Sequence, residues 1–217
     1  MEETFNPNAS AMMPANVDIR RNVRAQLKGH WTNVVLCTLV MLIIAGVCSA
    51  VSGASQDAPL LGIVGTALTL LIATALGFGY SVALLRHMHG EPDDDLVTRP
   101  FMAFKDYGRY LGTSLLMVVY IFLWMLLLII PGIIKGYSYA MTPYIMDEHP
   151  ELSADECIEA SKKMMAGYKW KLFLLDLGFI GWLILCVLTL GILTLWVQPW
   201  MECSHVKFYD ELKARQA

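Results

Sequence analysis

Gln198, Glu202, His205 and Tyr209 follow one another at spacings of four, three and four residues in an otherwise apolar stretch near the C-terminus. On a helix this recurrence aligns them as one polar stripe. A carboxylate three residues from an imidazole is the chemistry of a proton or cation site. Counted from Gly191, Glu202 lies about 16 Å along such a helix, near the middle of a bilayer, where an ionised side chain costs roughly 2.5 to 3.5 kcal/mol on insertion scales. Glu202 must therefore be neutral, paired or beside water. Two readings stay open: a Glu202/His205 ion site inside a helical bundle, or a Glu202 that rises to the aqueous interface while His205 packs. The Glu-x-x-His spacing also occurs in di-metal bundles, but those need a second copy and further carboxylates, which the chain lacks.

A second set, Lys135, Tyr139 and Thr142, repeats the four-then-three spacing. Lys135 stands four residues after Pro131, so its stem is expected to carry the ammonium to the outer face of a membrane. Tyr139 and Thr142 then belong either to an interfacial belt or to a polar cavity facing the last stretch. Asp176, five residues past Lys171 and about 7.5 Å inward, is expected to pair with Lys169 or with a neighbouring helix. In RHMHGEPDDD, the residues His87, His89, Glu91, Asp93, Asp94 and Asp95 meet no fixed metal-ligand spacing and match a solvated acidic loop. The chain contains no nucleotide loop, nucleophile elbow or zinc-protease helix. Neither a metal nor a cofactor is expected.

Apolar elements must position these residues, and the chain is rich in them. Of its 217 residues 56% are hydrophobic and only 16% charged, with a mean hydropathy of +0.51, whereas soluble domains carry about a quarter charged residues. Residues 31–51, 58–85 and 111–134 hold no acidic or basic side chain, and runs of about 18 or more are transmembrane candidates. Glu2 and Glu3 stand where a cleavable signal would be basic, so the first run is expected to act as the first anchor. The five cysteines show no CxxC or Cys/His spacing and are expected to pack as small apolar residues.

Residues 172–201 would measure about 45 Å as one helix, against a hydrocarbon core of about 30 Å. Gly191 offers a break, giving a hairpin with arms at 172–190 and from Ile192 to about Tyr209. Pro131-Gly132 is expected to turn the chain in the same way one hairpin earlier. With the pair flanking SGASQDAP, this makes three helical hairpins and six membrane passes. SGASQDAP has no Lys or Arg while its outer flanks are basic, which places it outside and both termini in the cytoplasm. Cytoplasmic loops are expected near 86–110 and 147–171. Residues 1–15 lack periodicity and are expected to form a disordered tail, leaving 16–217 as a single integral membrane helical domain. Ile19, Val23 and Leu27, ringed by Arg20, Arg21, Arg24 and Lys28, predict a basic amphipathic helix, either on a membrane surface or solvated. Ser153 and Glu156 fit a capping box. They open a second amphipathic helix with Ala154, Cys157, Ile158, Ser161, Met164 and Met165 on one face and Gly167 at its end.

The segments RAQLKGHW, IPGIIKGYSYAMTPYI, SKKMMAGYKWKLFLLDLGFIGWLILCVLTLGILTLW and FYDEL resemble the bacterial integral membrane family known as domain of unknown function 975. The resemblance covers nearly the whole chain and is most specific at 161–182. Gly178 stands where that family usually has a serine, and Trp200 where a tyrosine usually follows the proline. The resemblance implies a polytopic protein of the bacterial inner membrane and supplies no biochemical activity. The expected fold class is an all-α transmembrane bundle with interfacial amphipathic helices. The expected function is that of a non-enzymatic membrane component binding a membrane lipid, another membrane protein or a second copy of itself. The alternative is a small transporter or channel with its site at Gln198, Glu202 and His205. Nucleic acid is not an expected partner, because the basic clusters sit against membrane surface.

Overall fold

The computed structural model describes residues 13–54, 59–92, 96–104, 107–127 and 129–216. Most of the expected N-terminal tail, the centre of the SGASQDAP hinge, and Asp93, Asp94 and Asp95 lie outside the described residues. All regular structure among the described residues is helical. The first helix, α1 (Asn16–Gln26), is followed by α2 (Trp31–Ala54), and the two are bent by 102°. Ile19, Val23 and Leu27 are all buried. Protein covers this apolar face, since α1 packs on α8 (Lys169–Leu177) and α10 (Thr194–Gln216). A free membrane-surface helix is thus corrected to a docked one, with its Arg21 edge outward.

Arg20 fixes that docking. Its Nη1 donates to the Gly178 carbonyl, its guanidinium stands 5.4 Å from the Phe179 ring centre, and its own carbonyl accepts from Trp200 Nε1 at 3.0 Å. The two positions that depart from the resembled family's pattern therefore meet at one arginine. A side chain at Gly178 would run into the Arg20 guanidinium, and the Trp200 indole supplies a donor directed at the same residue.

The long helix α3 (Pro59–Met88) pairs with α2. A short 3-10 turn, Arg99–Phe104, lies against α3 before α4 (Tyr107–Leu127) and α5 (Ile129–Tyr139) form the next pair. Helix α4 ends at Leu127 and α5 begins at Ile129, so the returning arm starts two residues before Pro131. Pro131 and Gly132 therefore sit in the first turn of α5, where a proline costs little because the amide it lacks would have no helical acceptor. The expected Pro-Gly turn is corrected by that shift, and Lys135 moves correspondingly further down the returning arm. A break at Ala140-Met141 then leads to α6 (Thr142–Glu148), which has Pro143 in its own first turn.

Both halves of the predicted capping box exist. The Ser153 hydroxyl accepts from the Glu156 amide, and the Glu156 carboxylate accepts from the Ser153 amide at 2.8 Å, opening α7 (Ala154–Met164). Cys157, Ile158 and Ser161 bury the expected face, and Gly167 turns the chain out with φ +82°. Next come α8 and α9 (Ile180–Leu188), then the predicted reversal, where Leu190 (φ 52°) precedes Gly191 (φ 85°). Two successive left-handed residues make the tight turn, and only the glycine adopts that geometry without strain.

The core gathers on α10, whose Val197, Cys203, Val206, Phe208, Tyr209 and Leu212 are buried. Outside it the surface inverts the usual order: Ile43 on α2, Phe122 on α4 and Ile184 on α9 are more than half exposed, and Leu190 at the last turn is 93% exposed. Apolar patches of this extent are rare on monomeric soluble proteins. Among the described residues one helix, Lys169–Leu188, is long and apolar enough to cross a membrane and is mostly unburied, and the bent α1–α2 pair is long and apolar enough when taken as one.

Gly79 is the tightest crossing in α3, because a Cβ there would meet the Pro100 backbone. Gly79→Ala is expected to lower stability by about 1–3 kcal/mol through overpacking. Gly77→Ala, whose Cβ meets nothing within 4 Å, is expected to be neutral. Thermal midpoints in mild detergent check both.

Candidate functional site

Helix α10 passes through the middle of the bundle, so its polar stripe meets a different neighbour at each turn. Gln198, half-buried, lines a cavity of about 250 Å³ with residues of α2 and α3 that include Thr38, Met41, Leu76 and Tyr80. At its base the Thr38 and Tyr80 hydroxyls lie 2.8 Å apart. One turn on, the Ser81 hydroxyl donates to Glu202 Oε2 at 3.4 Å, and the buried Tyr144 hydroxyl reaches both groups. Next, His205 Nε2 lies 2.6 Å from Asp176 Oδ1, while the Tyr137 hydroxyl donates to Asp176 Oδ2 at 2.9 Å. Finally the Tyr209 hydroxyl donates to Glu148 Oε2 at 2.6 Å, and Lys213 Nζ donates to the same oxygen at 2.7 Å.

Asp176 is thus held by His205 and Tyr137, from helices α10 and α5, so of the two expected arrangements the structure has the bond to neighbouring helices and not the pairing with Lys169. Burying a charge is tolerated when hydrogen bonds satisfy its lone pairs, and both carboxylate oxygens here are engaged. Arg86 grips Asp147 through two nitrogens, at 2.7 and 3.1 Å, and His89 reaches Asp210 at 2.9 Å. These contacts fasten the end of α3 to α6 and α10. In the predicted acidic loop Glu91 pairs with Arg99 at 3.2 Å, and no group of three or more metal-ligating side chains occurs among the described residues.

Lys135 and Tyr139 lie elsewhere. They line a cleft of about 550 Å³ with Tyr120 of α4 and Asp155, Glu156, Glu159 and Lys162 of α7. Lys135 therefore stands on the side of α7, which corrects its expected place at the opposite face. Two physical reasons apply: the reversal comes earlier than Pro131, and α7 packs against α4 and α5. Tyr137 and Tyr139 are two residues apart, about 200° around a helix, so only Tyr137 turns toward Asp176 and His205. Thr142 is fully buried, and its hydroxyl has no hydrogen-bond partner among the described residues. The structure brings Asp176 to His205 and Lys135 to Tyr139. Neither of these two cavities contains Glu202 or His205.

Ser81, Tyr137, Tyr144 and Glu148, the partners of the stripe, escaped sequence reading. The tyrosines carried a signal only as aromatic residues near a span end, and their facing helices are remote in sequence. Cys37, Cys157, Cys186 and Cys203 are buried free thiols, as a packing role requires.

Glu148 gives the cluster a pH signature. Burial pushes its carboxyl up, but the hydrogen bonds from Lys213 and Tyr209 outweigh this and hold it below the ordinary carboxylate value. A depressed folded value contributes stability above the unfolded pKa of about 4.3, and that contribution is lost as pH falls through the folded value. Glu148→Gln is expected to melt earlier than the parent at neutral pH. The gap should close below about pH 4, as followed by thermal melts across pH.

Comparison with known proteins adds one relationship. No curated protein and no solved structure matches the chain. The family described as "Protein of unknown function (DUF975)" matches at residues 12–135 and 125–216. Taken together these two matches run from the start of the described residues to the end of α10, and the chain belongs to that family.

Proposed function

We propose that the protein is a membrane-embedded, non-enzymatic component that binds a membrane lipid or a partner protein, and that its central polar residues hold the bundle together. The observation that carries this reading is the local pairing along α10: Glu202 with Ser81 and Tyr144, His205 with Asp176, and Tyr209 with Glu148. A transport path needs groups left available to a moving ion, linked by a common cavity. Here Lys135 and Tyr139 open on one cleft, Gln198 on another, and Glu202 and His205 line neither.

The exposed apolar surface of α2, α4 and α9 supports embedding in a bilayer. Basic residues gather at the opposite end, on α1, on α7 and in the last turn of α10, which supports a cytoplasmic location for that end and both termini in a bacterial inner membrane. Helix lengths favour fewer complete crossings than six. At 1.5 Å per residue α2 and α3 reach about 36 and 45 Å, enough for a core of about 30 Å. By contrast α5 supplies only about 16 Å before its break, whereas the Lys169–Leu188 helix reaches about 30 Å. We read α2–α3 and the hairpin of α8–α9 with α10 as full ones, and α4–α5 as a shorter, re-entrant one packed on α7 and α8.

Two experiments test this. In proteoliposomes loaded with a pH-sensitive dye, the protein is expected to add no proton or alkali-cation flux, and Glu202→Gln is expected to lower the thermal midpoint. A wild-type flux abolished by Glu202→Gln would establish the transporter instead. In sealed vesicles a Leu190→Cys variant is expected to react with a polar maleimide only from the side opposite α1, because its turn closes a helix long enough to cross. Labelling from neither side would instead show that this hairpin stops short of the far face.

A further inference from the structure

The cleft between the α4–α5 pair and α7 has a composition suited to one ligand class. Its wall from α7 carries both charge signs, with Lys162 Nζ 2.9 Å from Glu159 Oε2 and Asp155 accepting from the Tyr120 hydroxyl at 3.3 Å. Lys135 enters from α5, and the Tyr120 and Tyr139 rings stand 6.4 Å apart. Lys169, at the start of α8, lies within electrostatic range of both Lys135 and Lys162, so cations from three helices converge on one side of the cleft. Beside it the surface turns apolar at once: Ile133 and Ile134 precede Lys135, Val119 and Leu123 flank Tyr120, and all four are exposed.

A charged floor with an apolar rim is the profile of a lipid, headgroup down and acyl chains along α4 and α5. The floor carries carboxylates as well as ammonium groups, which disfavours a purely anionic headgroup. We propose that this cleft binds an aminophospholipid of the phosphoethanolamine type. Lys135 and Lys162 receive the phosphodiester, while Asp155, Glu159 and the tyrosine faces receive the primary ammonium. The assignment rests on the membrane-embedded reading above and names the lipid for it.

The test uses the full chain reconstituted in phosphatidylcholine vesicles containing a minor fraction of phosphatidylethanolamine, phosphatidylglycerol or neither. After flotation and gentle extraction, retained lipid is identified by mass spectrometry. Phosphatidylethanolamine is expected to be retained over both others, and Lys135→Met or Glu159→Gln is expected to weaken retention by about tenfold, as for loss of one charge-assisted hydrogen bond. Lys162→Arg, which keeps the charge, is expected to retain the lipid even if the other variants fold poorly. Glycerophosphoethanolamine, the same headgroup without acyl chains, is expected to compete weakly. Equal competition would overturn the lipid assignment in favour of a soluble ligand. Retention of phosphatidylglycerol at the same level, or of no lipid, overturns the site. Failure to float with phosphatidylcholine vesicles alone would instead remove the membrane reading, so the two failures are distinct.

Discussion

The hydrogen-bonded contact between His205 and Asp176, completed by the Tyr137 hydroxyl, ties α10, α8 and α5 at one depth of the bundle. A partly buried carboxylate loses part of its hydration and needs its oxygens satisfied, and here both are. The same constraint recurs along α10 at Glu202 and Tyr209, each time with a different neighbouring helix. The polar stripe thus specifies which helix packs where. Apolar side chains alone would leave that choice weakly determined, because many apolar packings have similar energy.

The same demand explains how the two ends differ. Where backbone and charged groups are plentiful, in α1, α6, α7 and the last turns of α10, side chains bridge elements: Arg20 to Gly178, Arg86 to Asp147, Arg109 to the carbonyls of His149 and Leu152. Toward the turn at Gly191 such bridges give way to exposed apolar residues, and the reversal is made by backbone geometry at Leu190 and Gly191. Apolar side chains so exposed are unfavourable in water, and the proposed membrane embedding rests on them.

Features governed by local rules were legible in the chain. The capping box of Ser153 and Glu156 acts over three residues, the buried face of α7 follows helical periodicity, and Gly191 marks a turn by its conformational freedom. The α10 stripe was equally legible as a face, since residues three and four apart must align. The Pro131-Gly132 pair misled because proline stops a helix interior yet fits its first turn, so the break lay earlier than its most visible marker. Lys135 was misplaced by the same shift. Its charged neighbours on α7 are about twenty residues distant in sequence, and no local signal links them.

By itself the sequence determined an all-helical chain, the amphipathic faces of α1 and α7, the reversal at Gly191 and the alignment of Gln198, Glu202, His205 and Tyr209. Each follows from periodicity or from the conformational limits of single residues. Only the tertiary structure decided that α1 docks its apolar face on α8 and α10, that Asp176 belongs to His205 and Tyr137, and that Tyr137 and Tyr139 serve different sites. Those outcomes depend on which remote helices come into contact. A polar side chain announces that it needs a partner, and only the packing of the helices supplies one.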